Sequence, residues 1–141
     1  MMLRPPLLTR LRDWPERLDA LLRAHACTPF TWGRHDCCTF AADAVRAVTG
    51  VDVMGSLRGQ YSTAAGARRL TSELGGLNAA VTRLLGAPIA QAAATVGDVL
   101  LLAQDARELL AVCNGTAAIA PGRTGLQAIA APQVLAAWRI A

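Results

Sequence analysis

The stretch PFTWGRHDCCTFAAD, residues 29–43, concentrates several chemically reactive side chains within fifteen positions of this chain of 141 residues. Two cysteines, a histidine and two carboxylates lie within it, whereas the rest of the sequence is mostly Ala, Leu, Val and Gly. If the protein performs chemistry, we expect it to do so here.

The local pattern of this stretch predicts a turn followed by a helix. Gly33 permits the backbone angles of a sharp turn, and Asp36 is a suitable N-cap. Apolar residues then recur at helical spacing as far as Gly50, which predicts the end of the helix. Cys37 therefore lies in the first turn, where backbone N–H groups and the helix dipole stabilise a thiolate. Activated cysteine nucleophiles are often built in this way.

This segment resembles the nucleophile segment of the NlpC-type cell-wall peptidases, in which an aromatic-Gly turn leads into Asp-Cys-Ser-Gly-Phe at a helix start. The whole chain resembles more closely a group of small proteins encoded in phage and prophage tail gene clusters. These share the signature Phe-x-Trp-Gly-x-x-Asp-Cys-x-x-Phe-x-Ala-Asp. The matching residues here are Phe30, Trp32, Gly33, Asp36, Cys37, Phe40 and Asp43.

The resemblance implies a papain-like α+β fold with Cys37 at the nucleophile position. It also implies a tail-tip or baseplate protein, located in the virion tail and in the bacterial cytoplasm during assembly. Other tail-tip proteins are the expected partners, and peptidoglycan is a second candidate. Two functions stay open: a structural or assembly module with a degenerate catalytic site, and a cysteine hydrolase that cleaves peptide bonds in peptidoglycan during genome entry.

A cysteine peptidase of this type also needs a base, normally a histidine held by a third polar group. In the NlpC-type family this histidine begins a strand that follows a Gly-Asp turn. Gly97-Asp98 matches the turn, but Leu109 takes the place of the histidine when the segments are aligned on Gly115. The sequence has no histidine after His35.

Three residues near Cys37 could assist it. His35 and His25 are candidate bases. Asp36 is the N-cap; its negative charge would raise the thiol pKa, and a carboxylate is a poor substitute for an imidazole base. The alternative interpretations are that His35 is a polar loop residue and that Cys37 is a small apolar side chain of the core.

The remaining side chains of interest are predicted to have structural functions. Cys27, Cys38 and Cys113 are expected to pack in the core, and Trp32 to anchor it beneath the site. Asp43 is expected either to pair with Arg46 at the surface or to tie the helix to the loop after it. The spacing of the cysteines and histidines fits neither zinc nor iron–sulfur sites, so no metal and no cofactor is expected.

Composition restricts the class of protein. Apolar residues make up 53% of the chain and charged residues 17%. A chain of this length and apolar content can build one hydrophobic core. We expect no membrane span and no signal peptide. The net charge of +4 comes without a basic tract, so nucleic-acid binding is not expected.

The order of patterns predicts one α+β domain over residues 1–141. An irregular arm covers residues 1–12, helices cover 13–86, and a small antiparallel sheet covers 97–141. Asp13 is predicted to cap the first helix, and Ser62 the third. Asn114-Gly115 is predicted to form a hairpin turn between two strands. Residues 132–136 are predicted to form a helical turn, and residues 138–140 a final edge strand.

Overall fold

A computed structural model describes residues 7–141, so the first half of the predicted arm, residues 1–6, lies outside the described residues. Four helices precede a five-stranded antiparallel sheet, which confirms the predicted α+β order. The helices are α1 (Trp14–Ala24), α2 (Cys37–Thr49), α3 (Ala64–Glu73) and α4 (Leu77–Leu85), and a 3-10 turn covers Gln91–Ala93. The strands are β1 (Val99–Gln104), β2 (Arg107–Cys113), β3 (Ala117–Gly122), β4 (Gly125–Ala130) and β5 (Gln133–Trp138). Between residues 7 and 141, no helix is long and apolar enough to cross a membrane.

The helix starts differ from the sequence prediction in two details. Asp13 precedes α1, but its carboxylate binds Arg17 at 2.9 Å instead of capping the helix. Thr63, and not Ser62, caps α3, because its hydroxyl accepts the Gly66 N–H at 3.0 Å. Gly50 ends α2 as predicted, with φ +81°.

The strands of the sheet follow the order β4-β3-β2-β1-β5. The helical turn predicted for residues 132–136 is wrong, because residues 133–138 form β5 along the free edge of β1. This pairing buries Trp138 completely and satisfies backbone groups that a helical turn would leave on an open edge. The predicted edge strand therefore exists, but it begins and ends earlier than predicted.

The core lies between α2 and one face of the sheet. Phe40, Val45 and Val48 of α2 pack in one apolar cluster with Leu101 and Leu110 of the sheet. The opposite face carries a second cluster, which includes Leu100, Leu102, Ala111 and Cys113 and is flanked by Leu109. Neighbouring strand residues thus point to opposite faces, as the pleat requires, and only one face looks towards Cys37.

Asp98 holds the two ends of the described chain against β1. Its fully buried carboxylate accepts hydrogen bonds from Arg10 Nη2 at 3.1 Å, the Ile140 N–H at 2.9 Å and the Thr95 N–H at 2.9 Å. Arg10 also lies over the Trp14 ring, 4.2 Å from its centroid. The predicted Gly97-Asp98 turn therefore serves as a structural clamp in this protein.

Candidate functional site

The N-terminus of α2 is built as a closed capping box. Asp36 Oδ1 accepts the Thr39 N–H at 2.9 Å, and Thr39 Oγ1 accepts the Asp36 N–H at 2.8 Å. Because both residues are buried, these reciprocal bonds satisfy amides that water cannot reach. The N-cap predicted at Asp36 is present, and it fixes the direction in which Cys37 enters the helix.

The second oxygen of Asp36 binds two further donors. Oδ2 accepts the Gly33 N–H at 2.8 Å and the Tyr61 hydroxyl at 2.6 Å. Burial and this bond to a carboxylate raise the pKa of the Tyr61 hydroxyl above its usual value. Gly33 has φ +81°, and a Cβ there would lie 2.3 Å from the Tyr61 carbonyl oxygen. The loop before α3 is thereby held against the turn that precedes α2.

Sequence reasoning missed Tyr61. It is the single tyrosine of the chain and lies in a loop with no recognisable motif. One signal could have found it: a buried N-cap carboxylate has more acceptor sites than its own helix can fill.

The Cys37 thiol lies at the junction of α2 and β2. The neighbouring Cys38 thiol, as a hydrogen-bond donor to the thiolate, lowers the pKa of Cys37 most, and the backbone N–H of Leu110 lowers it further, so that it lies below its usual value despite burial. The same interaction and burial raise the pKa of Cys38 well above its usual value. The pair therefore concentrates thiolate character on Cys37.

The strand opposite Cys37 presents an aliphatic residue. Leu110 of β2 packs on the same side of the sheet as α2, whereas Leu109 lies on the other side. The alignment on Gly115 therefore selects a residue that faces away from the thiol. The β2 side chain on the Cys37 side of the sheet is therefore that of Leu110.

The two histidines lie against each other. His35 is 4% exposed and stacks on His25, with ring centroids 4.6 Å apart and planes 23° apart. Its other neighbour is Phe40, edge-on at 5.9 Å. Considering residues 7–141, neither nitrogen of the His35 ring has a hydrogen-bond partner. His25 Nδ1 lies 3.2 Å from Thr28 Oγ1.

Within residues 7–141, no hydrogen bond joins Cys37 to either histidine. Over the described range, the groups that affect the Cys37 pKa are Cys38, Leu110 and Asp36. Burial, followed by the nearby His25, lowers the pKa of His35, which keeps the buried ring neutral. The structure thus brings Asp36 and Cys37 together and leaves His35 in a separate aromatic stack.

Trp32 does not anchor the core, so that prediction is wrong. Thr31 and His35 bond to each other across a tight turn, with N···O distances of 3.0 and 2.8 Å, which puts Trp32 at its tip. The Trp32 side chain is 38% exposed and packs edge-to-face on Phe30, with centroids 4.7 Å apart. The motif aromatics Phe30 and Trp32 thus form a surface pair, whereas Phe40 is fully buried.

The other cysteines divide between surface and core. Cys113 is buried, as predicted, but Cys27 is exposed. The loop that carries Cys27 meets β4 through its backbone, where the Leu126 N–H donates to the Ala26 carbonyl at 3.1 Å. This leaves the Cys27 side chain outside. In the part of the chain from residue 7 onwards, no three His, Cys, Asp or Glu side chains form a group that could hold a metal ion.

Asp43 ties α2 to the loop after it. Arg58 donates from Nη2 to Asp43 Oδ1 at 2.7 Å and from Nε to Asp52 Oδ2 at 2.9 Å. Of the two predictions for Asp43, the tie to the following loop is confirmed, and the partner is Arg58 instead of Arg46.

Comparison with known families assigns nearly all of these elements to one domain. Residues 9–140 match the model of the family described as Domain of unknown function (DUF6950). The chain belongs to the DUF6950 family. The DUF6950 match covers α1 to β5, and with them Cys37, Asp36, Tyr61 and the histidine stack. No curated protein and no solved structure matches the chain.

Proposed function

We propose that this DUF6950 domain is a papain-like, NlpC-related module of a phage or prophage tail, at the tail tip or baseplate, that keeps the nucleophile position without catalysing hydrolysis. Its function would be structural or in assembly, with other tail-tip proteins as partners. The resemblance of residues 30–43 supports the tail assignment. Helices followed by an antiparallel sheet, with Cys37 at a helix start against β2, support the papain-like assignment.

The observation that carries the loss of catalysis is Leu110 opposite Cys37. Peptide hydrolysis by a thiol needs a group that accepts the thiol proton and returns it to the leaving amine. The two groups that lower the Cys37 pKa are the Cys38 thiol and the Leu110 N–H, and both act as donors, not as bases. A thiolate held in this way is stabilised, but it has no imidazolium beside it to protonate the leaving group.

The test separates assembly from hydrolysis. In a phage whose tail contains this chain, we expect Cys37→Ala to support normal tail assembly and infection. Phe40→Asp, which puts a charge into the core, should abolish assembly. Purified wild-type and Cys37→Ala proteins should release equal, background amounts of amine from peptidoglycan. Loss of infection with a folded Cys37→Ala protein would reject the structural function.

A second candidate function is a working peptidoglycan hydrolase. The neighbouring donors that lower the Cys37 pKa and its position at the start of α2 favour it. The base would then be His35 or His25 after a rearrangement of their stack, or a residue of a neighbouring tail protein. Hydrolysis by intact tails that disappears with Cys37→Ala, and with His35→Ala or His25→Ala if the base is internal, would establish this function.

A further inference from the structure

The outer edge of β4 is covered at one end and open at the other. The Leu126 N–H points away from β3, because it donates to the Ala26 carbonyl at 3.1 Å. Backbone groups alternate in direction along a strand, so the N–H and C=O groups of Ala128 and Ala130 point the same way as those of Leu126. Within residues 7–141, no group bonds to them, and both residues are exposed.

The opposite edge of the sheet, on β5, is covered by the segment around the 3-10 turn. The Ala137 carbonyl accepts the Ile89 N–H at 2.8 Å, and the Leu135 carbonyl accepts Nε2 of Gln91 at 3.1 Å. Proteins commonly cover their strand edges or place charges and prolines on them, because an open edge pairs with other chains. The strand β4, Gly-Leu-Gln-Ala-Ile-Ala, contains neither a charge nor a proline. The open part of its edge therefore lacks these protections.

The length of the open edge is limited on both sides. The loop at Ala26 occupies the edge beside Leu126. The strand ends at Ala130, and the next residue, Ala131, has a left-handed φ of +47°. A strand that adds to β4 can therefore pair with residues 128–130.

We propose that this edge pairs with the same edge of a second copy of the chain, antiparallel and about a two-fold axis at Ile129. In this register Ala128 of each copy lies opposite Ala130 of the other. Each of these two pairs exchanges two N–H···O bonds. An axis at Ala128 would instead bring Ala130 of the second copy against the Ala26 loop, and an axis at Ala130 would leave a single bonded pair.

The side chains of this edge suit pairing with an identical strand. Directly opposite residues lie on the same face of a sheet, so Ile129 contacts Ile129 of the second copy. Ile129 packs against the second apolar cluster, on the face of the sheet away from α2, so the apolar faces of the two sheets become continuous. Since the strand is uncharged, the two-fold axis brings no like charges together.

The pairing is weak because it is short. Three paired residues on each side bury far less than the roughly 1,200–2,000 Å² of a stable complex. We therefore expect a dissociation constant of about 0.1–1 mM, within the range of transient contacts.

The experiment is a dilution series of the isotopically labelled protein from about 2 mM to about 20 µM, followed by amide NMR and sedimentation equilibrium. We expect a dimer mass at high concentration and saturable shifts concentrated at the amides of residues 128–130. Ala128→Pro removes an outward N–H without removing a bond to β3. It should keep the fold, checked by circular dichroism, and weaken dimerisation at least tenfold.

A pair of double variants tests the register. In Ala128→Glu/Ala130→Lys, each introduced carboxylate lies opposite an introduced ammonium of the other copy, so dimerisation should become at least twofold tighter. The matched control Ala128→Glu/Ala130→Glu places like charges opposite each other and should abolish the dimer.

Four outcomes would overturn this proposal. The unmodified protein alone suffices for the first, which is a monomer throughout the dilution series. A dimer that survives Ala128→Pro would have its interface elsewhere on the molecule. Equal affinities of the two double variants would reject the axis at Ile129. Open-ended aggregation in place of a dimer would reject a closed two-fold contact.

Discussion

The Tyr61 hydroxyl donates a 2.6 Å hydrogen bond to Oδ2 of Asp36, which lies 25 residues earlier in the chain. The same oxygen accepts the Gly33 N–H, and the other carboxylate oxygen caps α2 through Thr39. Asp36 is 1% exposed, so these protein groups replace its hydration. One carboxylate thereby connects the motif turn, the helix that carries Cys37 and the loop before α3.

Tyr61→Phe should lower the free energy of unfolding by about 1–3 kcal/mol, since it leaves a buried carboxylate with one donor fewer. Urea unfolding at pH 7, followed by circular dichroism, measures this change. Ser62→Ala is the matched control, because Ser62 is exposed in the same loop, and its effect should stay within about 0.5 kcal/mol. Equal effects of the two substitutions would show that the bond to Asp36 contributes nothing measurable.

Gly33→Ala should destabilise the protein far more than Gly59→Ala. The two glycines have nearly the same φ, +81° and +82°, so both substitutions carry the cost of a left-handed backbone, about 1–2 kcal/mol. Only at Gly33 does the added Cβ collide, 2.3 Å from the Tyr61 carbonyl oxygen, whereas nothing lies within 4 Å at Gly59. We expect a further loss of about 1–3 kcal/mol for Gly33→Ala, measured as the difference in urea midpoint at constant slope.

Cys37 should be alkylated by iodoacetamide with an apparent pKa below that of an ordinary thiol, about 8.5. The donor responsible is Cys38, so Cys38→Ala should raise the Cys37 pKa, while Cys38→Ser, which keeps a donor, should leave it lower than in Cys38→Ala. Rates are measured against pH in a background where Cys27 and Cys113 are replaced, with fragmentation mass spectrometry to distinguish the adjacent thiols.

His35→Ala is the decisive control for that measurement. Because His35 stacks on His25 and does not bond to Cys37, its removal should leave the pH profile of alkylation where it was. A shift of the profile to higher pH in His35→Ala would instead identify an imidazolium partner and favour the hydrolase.

The stability of the protein should fall on acidification below pH 6.5 partly because of His35. Burial and then His25 lower the pKa of His35 in the folded protein below its usual 6.5, and Asp43 and Asp36 oppose this only in part. Between the two pKa values the unfolded chain binds a proton that the folded chain does not, so folding is disfavoured there. His35 thus makes the free energy of unfolding rise with pH by at most about 1.4 kcal/mol per pH unit in this range. The effect vanishes above the pKa of His35 in the unfolded chain.

Urea unfolding of wild type and His35→Phe at several pH values between 5 and 8 tests this linkage. The difference in unfolding free energy between the two proteins should change across pH 5–6.5 and stay constant from pH 7 to 8. His25→Gln removes the nearby imidazole that helps to lower the His35 pKa. It should reduce the pH dependence of the unfolding free energy seen in wild type without abolishing it. A difference that is independent of pH would mean that His35 titrates normally in the folded state.

Much of the fold is determined by short-range patterns. The capping residue Asp36, the helical apolar spacing behind it and the stop at Gly50 predict α2 correctly, because all three act within a few residues. The Asn114-Gly115 hairpin is predicted for the same reason, and Asn114 Oδ1 accepts the Ala117 N–H at 2.7 Å. By contrast, the helical turn at residues 132–136 is a wrong prediction, because β5 is stabilised by pairing with β1, whose residues lie 30 to 39 positions earlier in the chain.

The candidate site divides in the same way. Sequence alone places Cys37 in the first turn of a helix behind an N-cap, since that depends on local hydrogen bonds. Which side chain faces the thiol depends on the register of the sheet. In this register Leu110 lies on the Cys37 side of the sheet and Leu109 on the other side. The exposure of Trp32 depends on the geometry of one turn. The stacking of His35 on His25 and the hydrogen bond from Tyr61 to Asp36 depend on contacts between separate segments of the chain. Only the tertiary structure decides them, because no local propensity records which surfaces the chain brings together.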